Sequence, residues 1–161
     1  MNTQNTEKFI RNNFVIWVSI VLGMGVMCIV TFALYISQTF TPIQEVTQIK
    51  NVLFLMAIIL AVGILFLKRS FFATHTIVDK IRTSTIENHE HFLLRRLRKN
   101  YIILWILGEM ILILGFIEFV LIADFNSFLI YAVVGLYAVL INFPRKTLVA
   151  KSLELLSQNR T

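Results

Sequence analysis

The chain alternates four apolar blocks with polar segments, and the blocks are long enough to be read as membrane-spanning helices. Residues 101–123 form the most continuous of them, YIILWILGEMILILGFIEFVLIA, with one carboxylate, Glu109, well inside. As a helix rising about 1.5 Å per residue, this block crosses a hydrocarbon core of about 30 Å. Residues 14–36 form a second block with Trp17 and Tyr35 near its two edges, the pattern of a span anchored at both interfaces. It exceeds the apolar region of a secretory signal, about 7–15 residues, and Tyr35-Ile36-Ser37-Gln38-Thr39 has no small-x-small cleavage pattern, so it is expected to persist. Residues 51–67, bounded by Lys50 and by Lys68-Arg69, stand near the lower length limit for a span and rely on those side chains snorkelling. Residues 128–143 make the fourth, ended by Pro144-Arg145-Lys146.

The polar segments orient these spans. Lys8 and Arg11 precede the first, Lys68 and Arg69 follow the second, and Arg95, Arg96, Arg98 and Lys99 stand directly before the third. The segments 37–50 and 124–127 are short and nearly neutral. Positive charge marks the cytoplasmic side, which predicts both termini and the central section inside and two short loops outside. The central section, 68–100, reads as two helical arms, since Ile77 and Ile81 lie one turn apart and Phe92, Leu93, Leu97 and Tyr101 recur at helical intervals. Ser84 and Glu87 have capping-box spacing, which places a break near 83–85 and a helix start just after it. The arms should pack on each other or lie on anionic headgroups.

Leu148, Val149, Leu153 and Leu156 recur at helical spacing among polar residues, which predicts an amphipathic surface helix over 147–158. The segment 124–127 is a tight turn, so the third and fourth spans form an antiparallel hairpin. Ser19 and Gly23 offer a small-residue face on the first span, Ala57 and Ala61 one on the second, and the two faces are expected to pair. The fold expected is all-α: an integral membrane four-helix bundle of two hairpins with cytoplasmic helical extensions.

Composition agrees with that reading. Hydrophobic residues make up 57% of the 161 and charged ones 15%, against about a quarter charged in soluble domains. The formal charge of +6 sits at the ends of apolar blocks, where anionic lipid explains it and nucleic acid is not needed. The one cysteine, Cys28, lies inside an apolar block, which excludes an internal disulfide and a cysteine metal cluster.

Glu109 is the main candidate for chemistry, because a carboxylate deep in a span faces a bundle interior, a water path or a partner. Reflecting the hairpin about its turn sets Asn142 at a similar depth, as an intramembrane polar pair with Glu109, and Tyr137 is a second candidate from the same helix. Glu118 lies nearer the turn and is expected to snorkel to water. Arg95, Arg96, Arg98 and Lys99 are expected to dock lipid headgroups or a partner. Glu87, His89, Glu90 and His91 supply too few ligands on one helix face for a closed metal site, and a solvated ladder Glu87, His91, Arg95 explains their spacing. Motifs of nucleophilic, phosphate-loop or zinc chemistry are absent from the sequence, so no cofactor is expected and no enzyme.

Gly108-Glu109 followed by Gly115 is similar to the carboxylate helix of V-type ATPase proteolipids. The similarity stops at that helix. Those proteins are rich in glycine and alanine and carry the acid on the second helix of a hairpin, whereas this chain has six glycines and bulky spans. No family is assigned on it. Two functional expectations follow from the residues: an accessory, assembly or scaffolding subunit of a larger membrane complex, held to other membrane subunits or to itself, and, as the alternative, a proton-coupled transporter or channel-forming oligomer using Glu109. A bacterial inner membrane is the default location for either.

Overall fold

The computed structural model describes residues 3–37, 47–72 and 89–158. Among these residues the chain is all-helical: α1 (Thr3–Ile36), α2 (Thr47–Phe71), α3 (His89–Ile122), α4 (Phe125–Leu140) and α5 (Lys146–Gln158). Three of the helices are long and apolar enough to cross a membrane, with candidate spans Thr6–Ile36, Gln48–Phe71 and His89–Ile122. The second is longer than the expected 51–67, so Lys50 lies in its first turn and Lys68 and Arg69 in its last, where positive charge suits a helix C-terminus. The fourth apolar helix runs Phe125–Leu140 rather than 128–143, and its 16 residues fall short of the roughly 20 that a span usually needs. The proposed capping box at Ser84 and Glu87, the break near 83–85, and Ile77 and Ile81 lie outside the described residues.

α3 is the organising element, packing against each of the other four helices. Its tightest partner is α4. The two are joined by Ala123 and Asp124 alone: Ala123 adopts a left-handed conformation with φ 58° that reverses the chain, and Asp124 caps α4 by accepting from the Ser127 N–H at 3.1 Å. Close approach along the hairpin depends on three glycines. A Cβ on Gly108 would stand 2.7 Å from Val139 Cγ2, and one on Gly135 would stand 2.8 Å from the Gly108 carbonyl oxygen. At Gly115 it would run into the Cβ of Tyr131, with Tyr131 Cγ at 2.8 Å. Small residues that let backbones approach are how membrane helices gain packing energy without a hydrophobic drive.

α1 and α2 flank this hairpin. Met24 of α1 is buried with Trp105, Leu112 and Phe119 of α3 and Ala132 and Val139 of α4. Ala57 and Ile64 of α2 are buried with Leu104, Ile111 and Leu114 of α3 and Tyr131 and Ala138 of α4. The expected pairing of the Ser19/Gly23 face with Ala57/Ala61 is therefore corrected. Ser19 and Gly23 are exposed, no atom would meet a Cβ on Gly23, and the alanine face docks on the α3–α4 hairpin instead. Spacing alone marks a small-residue stripe without saying whether a neighbour is there.

The two ends differ. Tyr35 stacks on Phe125 beside the α3–α4 turn, with ring centroids 4.6 Å apart. At the opposite end, here called the basic end, Phe9 of α1, Leu93 and Leu97 of α3, and Val149 and Leu153 of α5 form a separate apolar cluster. The start of α1, the base of α3 and the tail helix thus gather together. The tail helix was expected to lie on a surface, but it buries Val149 and Ser152 completely against the other two, because Leu93 and Leu97 extend the apolar face of α3 beyond the apolar block 101–123.

Candidate functional site

Six carbonyls end α4, and all six accept a hydrogen bond. A helix leaves its last four carbonyls without internal partners, and at membrane depth an unsatisfied one is costly. Here backbone N–H groups of Ile141, Asn142 and Phe143 serve the carbonyls of Tyr137, Val139 and Leu140. The Asn142 side-chain amide donates to Ala138 at 2.7 Å. Two other helices supply the remaining two, Lys68 of α2 donating its ammonium to Ile141 at 3.1 Å and Trp105 of α3 its indole N–H to Asn142 at 2.9 Å, and Trp17 of α1 adds a second donor to Val139 at 3.1 Å. The end of α4 is therefore a junction at which one side chain from each long helix is fixed. Asn100 does the same for α2, donating to the Phe71 carbonyl at 3.1 Å.

At the turn end the polar residues close on themselves. Lys50 Nζ lies 2.8 Å from Asp124 Oδ2, which also accepts from the Ser127 hydroxyl at 2.7 Å. The Lys50 ammonium, and after it the Ser127 hydroxyl, hold the Asp124 carboxyl down at about 2. One step further in, the Tyr131 hydroxyl donates to Glu118 Oε2. Glu118 is 1% exposed, so the expectation that it snorkels to water is corrected. Tyr131 crosses α3 over Gly115, and this brings its hydroxyl to the carboxylate within the protein.

The expected pair of Glu109 and Asn142 does not form. Asn142 stands level with Trp105, and its amide is spent on Ala138, whereas the Gly108 contacts set Glu109 about one turn nearer the middle of the hairpin. Tyr137 is no partner either, being 63% exposed on the outer face of α4. Glu109 is half-buried and makes no hydrogen bond or ion pair among the described residues. On α3 it lies on the line of Ile102 and Phe116, partly buried residues seven positions to either side of it, and next to an open stripe of Ile106, Met110, Ile113 and Ile117. Arg95, Arg98 and Lys99 are exposed at the base of α3, with Arg96 half-buried. Glu87 lies outside the described residues, and no group of three or more metal-ligating side chains occurs among those described.

Sequence reasoning did not find the cap on α4 or the Glu118–Tyr131 bond. Reflection about the turn did carry the second signal, since it sets Glu118 near the level of Tyr131. No family model matches the chain, and no curated protein or solved structure matches it.

Proposed function

We propose that this protein is a small, non-catalytic accessory, assembly or scaffolding subunit of a larger membrane complex. Its four apolar helices lie in a bacterial cytoplasmic membrane, with both termini and the central section on the cytoplasmic side. The observation that carries this reading is Glu109. Glu118, Asn142, Lys68, Trp17 and Trp105 each make a hydrogen bond inside the chain, while Glu109 stands at the edge of an open apolar stripe with none among the described residues. An intramembrane carboxyl needs a partner. A second chain, or another copy of this one, laid on Ile106 and Ile113 supplies it. Arg95, Arg98 and Lys99 then face headgroups or acidic groups of the same complex.

Proton transport has less support. Along the α3–α4 seam between Glu118 and Asn142 stand Leu104, Gly108, Ile111, Leu112 and Gly115, a sequence of side chains that relays no proton. The two readings separate on one substitution. A carboxyl that hydrogen-bonds a partner is replaced well by an amide of the same shape, so Glu109→Gln should retain co-purifying partners in mild detergent and Glu109→Leu should lose them. If Glu109→Gln instead abolishes a proton-dependent flux in liposomes and no partner co-purifies with the native chain, the subunit reading fails.

A further inference from the structure

At the basic end a cavity of about 400 Å³ opens beside the capped end of α4. Lys68 and Arg69 line it from the last turn of α2, Arg145 from the link between α4 and α5, and Tyr101 and Asn142 from α3 and the end of α4. Among the described residues no carboxylate lines it. The ion pair Lys50–Asp124 is at the other end of the bundle. Three cations around one hollow repel each other, and an anion set among them relieves that repulsion.

The remaining walls discriminate between anions. Ile141, Phe72, Leu148, Leu65 and Phe143 complete the lining, and the last two are exposed on the outer surface of the bundle. A soluble phosphate gains nothing from such walls, whereas a glycerophospholipid sets its phosphate among the cations and lays its acyl chains over them. Asn142 adds a polar contact. Its side-chain nitrogen is committed to Ala138, its side-chain oxygen Oδ1 is buried without a donor among the described residues, and the residue as a whole is 2% exposed.

We propose that this cavity binds the headgroup of an anionic glycerophospholipid, with Lys68, Arg69 and Arg145 around the phosphodiester and the Asn142 side-chain oxygen Oδ1 accepting from a headgroup hydroxyl. The site is separate from the exposed cations Arg95, Arg98 and Lys99, and it needs no partner chain.

Brominated phosphatidylglycerol titrated into phosphatidylcholine vesicles containing the full chain gives a direct readout. Both tryptophans, Trp17 and Trp105, are bonded to the end of α4 that borders the cavity, so their fluorescence is quenched by lipid held there. The native chain should prefer phosphatidylglycerol over brominated phosphatidylcholine. Each basic group near a membrane surface is worth roughly five-fold in binding, so Arg69→Gln/Arg145→Gln should weaken that preference by roughly thirty-fold. That pair leaves the Lys68 cap on Ile141 in place, and Lys8→Gln/Lys151→Gln, exposed cations outside the cavity, should retain the native preference. Equal quenching by the two lipids in the native chain overturns the proposal, as does an equal loss in both double variants. Displacement by millimolar glycerol phosphate would also overturn it, because a soluble phosphate compound would then be the occupant.

Discussion

Trp105 of α3 donates its indole N–H to the backbone carbonyl of Asn142, 2.9 Å away at the end of α4, and the ring is itself completely buried. The bond fixes the end of a short apolar helix at the centre of the packing, where α1, α2 and α3 all meet it. Trp105→Phe keeps most of the buried ring and leaves that carbonyl without its donor. The expected cost is about 1–3 kcal/mol, read as a lower denaturation midpoint in detergent. Trp17→Phe removes the donor to a Val139 carbonyl that still has the Asn142 N–H at 3.3 Å, so it should cost less.

The hairpin glycines give a second expectation. Gly108→Leu or Gly135→Leu drives a side chain into the facing helix, since even a Cβ has no room there. Overpacking of this kind costs about 1–3 kcal/mol or more. Gly23→Leu, on an open face of α1, is the matched control and should leave the midpoint unchanged. Equal losses at all three positions would refute the assignment of the close interface to α3 and α4.

Ala123 carries backbone strain, because φ 58° is a conformation that a residue with a Cβ adopts at a cost of about 1 kcal/mol. Ala123→Gly removes the Cβ and should stabilise the hairpin by several tenths of a kcal/mol to about 1 kcal/mol. Thermal denaturation of the two proteins side by side measures it.

The Lys50–Asp124 pair sets a pH dependence. The folded carboxyl titrates at about 2, below its ordinary value of 3.8, so its contribution is fully present above pH 4 and is lost as pH falls toward 2. Both side chains are substantially exposed, and screening keeps the contribution below about 1 kcal/mol. Asp124→Asn should flatten that part of the stability profile while an amide oxygen continues to cap α4. A profile unchanged between pH 4 and pH 2 would show that the pair contributes nothing.

The sequence was informative where chemistry changes along the chain. Charge at the block ends marks where the apolar helices stop, and Asp124 with Ser127 marks the turn. It was less informative about which helix faces meet, because inside a span hydropathy is saturated and gives no amphipathic contrast between a packed side and an open one. Ser19/Gly23 and Gly108/Gly115 are both small-residue pairs, yet only the second has a neighbour. The destination of Glu118 depended on a ring reaching across from Tyr131, and the caps on α4 depended on three residues far apart in sequence. Reflection about the turn sets Glu118 near the level of Tyr131, but nothing in a single-chain pattern encodes the caps. Glu109 was legible as the residue to watch, but its proposed partner Asn142 was not, since the amide satisfies its own helix.

Site-specific photo-crosslinking in the native membrane tests the central claim most directly, with a photoreactive residue placed in turn at Ile106 and Ile113, on the open stripe beside Glu109. The account predicts a discrete polypeptide adduct, either a partner subunit or a second copy, that is retained with Glu109→Gln and lost with Glu109→Leu. Adducts to lipid alone at both positions, in the native background, would contradict it.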